Sequence, residues 1–303
     1  MDREQIEILA QEYFELDEPV PYKDFLIRPA KIRDYYKFYK GIESLTLNKN
    51  KDPKGIALSH LGYLIKQIDE NPDKKYDIRF SYIVEICLGI KSGLFCPICG
   101  NRITSEEISQ KAKVFSELKT DKNFDKWYDA NFINCEKCDG KLQDVIRYGF
   151  NEKNQPCIEI ENSIVTKEDF EAIRTIICHQ NMPDYDDSYI DPDLEQDLKA
   201  IEEIQNRNIV TPTLEKQMTC ILASGCGYTF ETLKEMTLRK FVLLLQKIDK
   251  KLHYQIYKTH EVSGAITLKG GLDHWIYEKR KNKFENIIPL DNLKQKFQPV
   301  SKQ

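Results

Sequence analysis

Phe95-Cys96-Pro97-Ile98-Cys99-Gly100 and Asn134-Cys135-Glu136-Lys137-Cys138-Asp139-Gly140 are two C-x-x-C pairs, each closely followed by glycine. Cysteines separated by two residues can reach one ion from a tight turn, and a following glycine permits the backbone to aim amide groups at sulfur. Together Cys96, Cys99, Cys135 and Cys138 make a closed tetrahedral set for Zn²⁺. An iron–sulfur cluster suits such sequentially paired ligands less well than a mononuclear site does. Four thiolates leave no coordination position for water, so the expected metal is a structural staple without catalytic chemistry.

Zinc ribbons usually separate their knuckles by about 15 to 20 residues, whereas 35 residues intervene here. Ile108, Ala112, Phe115 and Leu118 recur at helical spacing in that interval, and Trp127, Tyr128 and Phe132 form a second apolar cluster. The spacing predicts a helical insertion that lengthens the ribbon without moving its ligands. Beyond the second knuckle, Leu142–Phe150 and Cys157–Glu161 alternate in the two-residue period of strands. Asn151–Pro156 supplies the turn, so a hairpin is expected. Residues 94–163 then read as a zinc-ribbon-like insert with its hairpin, one compact unit.

The flanks are helical. In 1–93, apolar positions at Ile6, Leu9, Ala10, Tyr13 and Phe14 mark a first helix, and Lys23–Ala30 is a short extended piece stopped by proline. Tyr35, Tyr36, Phe38 and Tyr39 give an aromatic helix face, with further helices expected at about 54–70 and 77–91, the last ending at Gly93. In 164–303, Thr166 caps a helix carrying Phe170, Ile173, Ile176 and Ile177, and Thr211-Pro212 opens another that ends at Gly225–Gly227. Thr237 caps the longest, with Phe241, Leu245, Ile248, Leu252 and Ile256 every three or four residues up to Ser263-Gly264. Asp184–Asp193 reads as a loop or linker. The fold class is therefore α+β and mostly α-helical: helical N- and C-terminal parts, the latter a bundle with a basic tail, and the ribbon-like insert between them.

With 303 residues, 41% hydrophobic and 31% charged, the chain has the composition of a soluble globular protein. No apolar run approaches the roughly 18 residues needed to cross a bilayer, and Met1-Asp2-Arg3-Glu4-Gln5 opens no apolar signal region. Of nine cysteines, Cys87, Cys157, Cys178, Cys220 and Cys226 lie singly among apolar neighbours and read as small buried hydrophobes. Net charge is −4 but uneven: Asp184–Glu203 holds nine carboxylates against Lys199 alone, while Leu238 onward carries fourteen Lys and Arg against six Asp and Glu. Such polarity can steer an acidic partner to the C-terminal half, or pair two copies head to tail.

Catalytic motifs are missing. There is no phosphate loop, no G-x-G-x-x-G, no G-x-S-x-G and no H-E-x-x-H. Ser224–Gly227 and Lys269–Gly271 read as turns, and His60, His179, His253, His260 and His274 are dispersed. No catalytic and no cofactor-binding residue is expected, and the chain is not expected to be an enzyme. Zinc ribbons often touch nucleic acid, which makes a nucleic-acid binder the alternative reading. Against it, Glu106, Glu107, Glu117, Asp121, Asp125 and Asp129 deny the knuckle region the basic footprint that phosphates need. Only the C-terminal part, with Glu278–Lys283, is basic, and that run reads equally well as a solvated helix face.

Three stretches resemble tail-assembly proteins of contractile-tailed bacteriophages, above all baseplate-hub assembly proteins and the tail assembly chaperones that accompany the tape-measure protein. They are Arg33–Tyr39 leading into Ile42–Asn50, the long helix from Arg239 to Lys258, and His274-Trp275-Ile276-Tyr277-Glu278. The resemblance lies in texture and order of segments, and the zinc knuckles depart from the common pattern. It implies a non-enzymatic helical protein acting in tail or baseplate assembly, in the host cytoplasm or resident in the virion. The partners it implies are hub, tape-measure or other tail and baseplate proteins, with copies of the same chain as a further partner and no membrane.

Overall fold

A computed structural model describes residues 3–49, 52–117, 127–128, 131–186 and 212–263, together with 194, 197–198, 200–201, 210 and 274–276. Most of the acidic stretch Asp184–Glu203, Thr211, the Lys269–Gly271 turn and the basic run Glu278–Lys283 lie outside the described residues. The architecture is α+β and mostly helical, as the sequence predicts. Chain contacts divide it into two units, Met1–Leu244 and Leu245–Gln303.

The first unit opens with α1 (Arg3–Leu9), which continues as a wider turn, Ala10–Phe14, and buries Phe14. β1 (Val20–Tyr22) and β2 (Phe25–Ile27) pair antiparallel, placing the expected extended piece in a two-stranded ribbon. α2 (Tyr35–Ile42) is the aromatic helix: Phe38 is fully buried, while Tyr36 and Tyr39 stay exposed.

Two helices differ from their expected bounds. α3 (His60–Glu70) starts six residues later than 54, because Ser59 takes the cap position and its Oγ accepts from the Gly62 amide at 3.0 Å. α4 (Tyr76–Ile83) continues as a wide turn, Val84–Leu88, and stops at Gly89 with φ +72°. Gly93 instead begins β3 (Gly93–Phe95), since the chain must already be extended to enter the knuckle.

β4 (Arg102–Thr104) pairs with β3, and α5 (Ser105–Glu117) is the helix predicted between the knuckles. β5 (Gln143–Asp144) returns to the other edge of β3, giving the order β4-β3-β5. The hairpin forms as β6 (Ile146–Phe150) and β7 (Pro156–Ile160), with β8 (Ser163–Val165) added as a third strand that the alternation did not single out. Residues 143–144 thus belong to the knuckle sheet, and the hairpin proper starts at Ile146. Its inner face reaches well beyond the insert: β7 lies against α3, and Ile158 is fully buried with Leu61 and Leu64. Backbone bonds from the Val145 amide to Gly93 and from the Glu161 amide to Val145, 2.9 and 2.7 Å, join the two small sheets.

α6 (Lys167–Asn181) is the central helix. Thr166 and Asp169 form a reciprocal capping box, and Phe170, Ile173, Ile176 and Ile177 are all buried, as predicted. So is Arg174, whose side chain is 3% exposed. Its Nε donates to the Leu45 carbonyl at 2.7 Å, and its other nitrogens donate to Glu171 and to the Tyr185 hydroxyl at 2.8 and 2.6 Å. The buried charge is tolerated because its donors are met. Asn181 does similar work on the same helix, accepting from the Ala30 amide at 2.7 Å.

α7 (Leu214–Ala223) is capped by Thr213, two residues later than the expected Thr211. The short α8 (Phe230–Glu235), capped by Thr229, was not anticipated. α9 (Leu238–Val262) follows Thr237, whose Oγ accepts from the Lys240 amide at 3.4 Å. Cys87, Cys157 and Cys178 are buried as expected, but Cys220 and Cys226 are exposed. They sit on the outer side of α7 and in the glycine turn after it, where apolar sequence neighbours do not mean a core position. In the second unit the rest of α9 carries Tyr254, whose ring lies 5.1 Å from that of His274, and Lys247 donates to the Ile276 carbonyl at 3.2 Å. No described helix is long and apolar enough to cross a membrane.

Candidate metal centre

Cys96 and Cys99 occupy the turn between β3 and β4, and Cys135 and Cys138 the turn enclosed by the antiparallel bridge Asn134↔Lys141. The two turns are built alike. In each, the amide of the first cysteine donates to the carbonyl five residues on, Cys96 to Asn101 at 2.8 Å and Cys135 to Gly140 at 2.7 Å. The residue four places on donates back, Gly100 to Cys96 at 2.9 Å and Asp139 to Cys135 at 3.0 Å. That fourth residue is left-handed in both, with φ +71° at Gly100 and +56° at Asp139. Aspartate is one of the few non-glycine residues that tolerate this conformation.

The glycine of the second knuckle therefore has a different role from the one its motif suggests. A Cβ on Gly140 would lie 3.0 Å from the Cys96 sulfur and 3.2 Å from that of Cys138. Only a residue without a side chain lets the backbone pass that close to the cluster.

The four sulfurs lie within 4.8 Å of one another. Cys96 is paired across the knuckles with Cys138, Sγ to Sγ 3.4 Å, and Cys99 with Cys135 at 3.6 Å. Disulfide sulfurs sit at about 2.05 Å, so these are not covalent pairs. A tetrahedral ion with metal–sulfur bonds of about 2.3 Å separates its ligand sulfurs by about 3.8 Å. The cluster is close to that size and could hold a metal ion. All four expected ligands are thus brought together, and no other such group of metal-ligating side chains occurs among the described residues. The histidines stay apart from it: His60 pairs with Glu171 at 2.8 Å, and His253 faces Asp249 at 3.7 Å.

Backbone amides prepare the sulfurs for charge. Those of Cys99 and Ile98 donate to the Cys96 sulfur and bring its thiol down to about 7, against the opposing effect of burial. The Lys137 amide similarly lowers Cys135. At Cys138 the Gly140 amide favours the thiolate, but the sulfurs of Cys96 and Cys99 outweigh it and push the thiol up to about 12. Without a cation, four crowded sulfurs cannot all ionise. A bound metal ion removes that conflict by deprotonating its thiol ligands outright.

Comparison with protein-family models, with curated proteins and with solved structures gave no match. The site is therefore read from its own geometry.

Burial anchors half of it. Cys96 and Cys135 are fully buried in a small core with Leu94, Ile103, Phe132 and Leu142, while Cys99 and Cys138 face solvent. Trp127 and Tyr128 close this core from one side, and Phe115 stacks on Trp127 with ring centroids 4.7 Å apart. The apolar cluster seen in the sequence between the knuckles thus packs beneath the sulfurs. What sequence spacing missed is a tie within the insert, between knuckle sheet and hairpin: Arg102 on β4 pairs with Glu161, the residue that follows β7, at 2.7 Å.

Proposed function

We propose that the chain is a non-enzymatic assembly protein of a phage-type tail or baseplate, pinned by one structural Zn²⁺ on Cys96, Cys99, Cys135 and Cys138. The observation that carries the structural role is the closed set of four cysteine sulfurs, two of them sunk in their own apolar core. A metal so enclosed has no open position from which to activate water. Zinc is the ion that best suits an all-cysteine tetrahedral site of this size. Function then falls to the surfaces the staple holds in place. The tail assignment is supported by the three stretches that resemble tail-assembly proteins, and by exposed aromatic side chains on α2 such as Tyr36, 64% exposed, which suit an anchoring role at a protein interface.

The partners are hub, tape-measure or other tail proteins, met in the host cytoplasm during assembly, with the protein retained in the virion if it is a permanent part. Affinity purification of the tagged full chain during infection, followed by mass spectrometry of the eluate and of intact particles, tests this. Tail proteins should co-purify, and Leu252→Pro, which breaks α9, should release them. Absence of tail proteins from both samples contradicts the proposal. So does steeply salt-dependent binding of random DNA by the purified chain, the behaviour of the alternative nucleic-acid binder.

A further inference from the structure

α4 and the zinc-held α5 both line a cleft of about 790 Å³ whose remaining walls come largely from β3, β5 and β6. That volume lies in the range of sites that seat a ligand or a short peptide, about 300 to 1,000 Å³. Its chemistry is one-sided. Although the chain has 45 Lys and Arg, none of the residues lining the cleft is Lys, Arg or His. Two are carboxylates, Asp77 on α4 and Asp144 on β5, and neither has an ion-pair partner among the described residues.

Between the carboxylates the walls are serine and tyrosine hydroxyls and apolar side chains, including Ile78, which is 42% exposed, and Ile108. Negative charge in a concave, partly apolar site concentrates its field on an entering cation. Tyr148 in the same cleft already registers that field: burial first, then the charge of Asp77, holds its phenol above the ordinary tyrosine range.

We infer that this cleft is a docking site for a partner protein's segment in which Lys or Arg alternates with apolar residues, the cations meeting Asp77 and Asp144 and the apolar side chains meeting Ile78 and Ile108. Phosphate-bearing ligands are repelled by the same carboxylates. Because α5 runs between the two knuckles, loss of the metal removes one wall, and the staple and the docking site stand or fall together. The inference rests on the assembly reading only in taking the partner to be a protein.

The test uses the zinc-loaded full chain and two fluorescein-labelled peptides, one alternating Lys with Leu and Tyr and one with Glu in place of Lys, followed by fluorescence anisotropy. The lysine peptide should bind and the glutamate peptide should not. Asp77→Asn with Asp144→Asn should weaken binding at least about tenfold, and Ser109→Trp, which fills the cleft and leaves both carboxylates, should do the same. Glu152→Gln with Glu215→Gln, an equal charge change on exposed positions away from the cleft, should leave affinity within about twofold. Equal weakening by that control, equal binding of the glutamate peptide, or unchanged affinity in Ser109→Trp would overturn the proposal. If the double aspartate variant melts early, Ser109→Trp carries the test alone. Self-association in sedimentation that vanishes with the aspartates would overturn the partner in favour of a second copy. Peptide binding by a chain that never accompanies tail proteins sinks the tail assignment and leaves the docking site standing, and tail association without peptide binding does the reverse.

Discussion

Cys96→Ser with Cys99→Ser is expected to abolish metal binding and to unfold the knuckle region, residues 93–144. The wild-type chain is expected to carry one Zn²⁺, measured by plasma mass spectrometry on dialysed protein, and the double variant none. The expected cost is large because few other forces hold this region. Its core is essentially six buried residues, two of them the candidate ligands Cys96 and Cys135, and its sheet strands are two or three residues long. Metal-coupled folding contributes on the order of 10 kcal/mol in small zinc domains, which outweighs anything so small a core supplies. Loss of hydrogen-exchange protection should concentrate in 93–144, while the core of Phe38, Leu61, Ile158 and Ile177 retains its own. A double variant with unchanged metal content and protection would contradict the staple.

Gly93→Ala should destabilise the chain by about 3 kcal/mol or more and weaken its hold on zinc, whereas Gly100→Ala should cost about 1 kcal/mol. Both glycines have positive φ, so the contrast comes from space. A Cβ on Gly93, at φ +143°, would stand 2.2 Å from the Ile103 carbonyl oxygen and 2.9 Å from the Ser105 nitrogen, both backbone atoms of the paired strand and its continuation. Neither can yield without separating β3 from β4 and shifting the first knuckle. Around Gly100, at φ +71°, nothing lies within 4 Å, so only the conformational penalty is left. Chemical denaturation of both variants measures the difference. Equal costs would mean that the β3–β4 pairing does not position the knuckle.

The knuckles themselves were legible in the sequence, because ligand chemistry fixes cysteine spacing and a turn of that kind has few sequence solutions. The hairpin's two main strands and the caps Thr166 and Thr237 were legible for the same local reason. Position 139 was not: the left-handed residue of the second knuckle is an aspartate, and the neighbouring Gly140 drew attention to itself while serving a tertiary purpose, the close passage of backbone by sulfur. Arg174 was also hidden, since a charged residue on a helix reads as solvent-facing until the Leu45 carbonyl and the Tyr185 hydroxyl are brought to it by chain segments far away or across a turn. The starts of α3 and the end of α4 shifted because capping by Ser59 and the demand for an extended β3 override the apolar period at helix ends. Cys220 and Cys226 show the reverse failure: apolar neighbours in sequence placed them inside, whereas the outer side of α7 and the glycine turn after it leave them in solvent.

The proposed staple requires a site closed by four sulfurs, which leaves its metal nothing to do but hold the chain. X-ray absorption fine structure at the zinc edge of the purified full chain measures that shell directly. Four sulfur neighbours at about 2.3 Å, with no lighter scatterer, is the expected result. Three sulfurs with an oxygen or nitrogen at about 2.0 Å would reveal an open position and contradict the account.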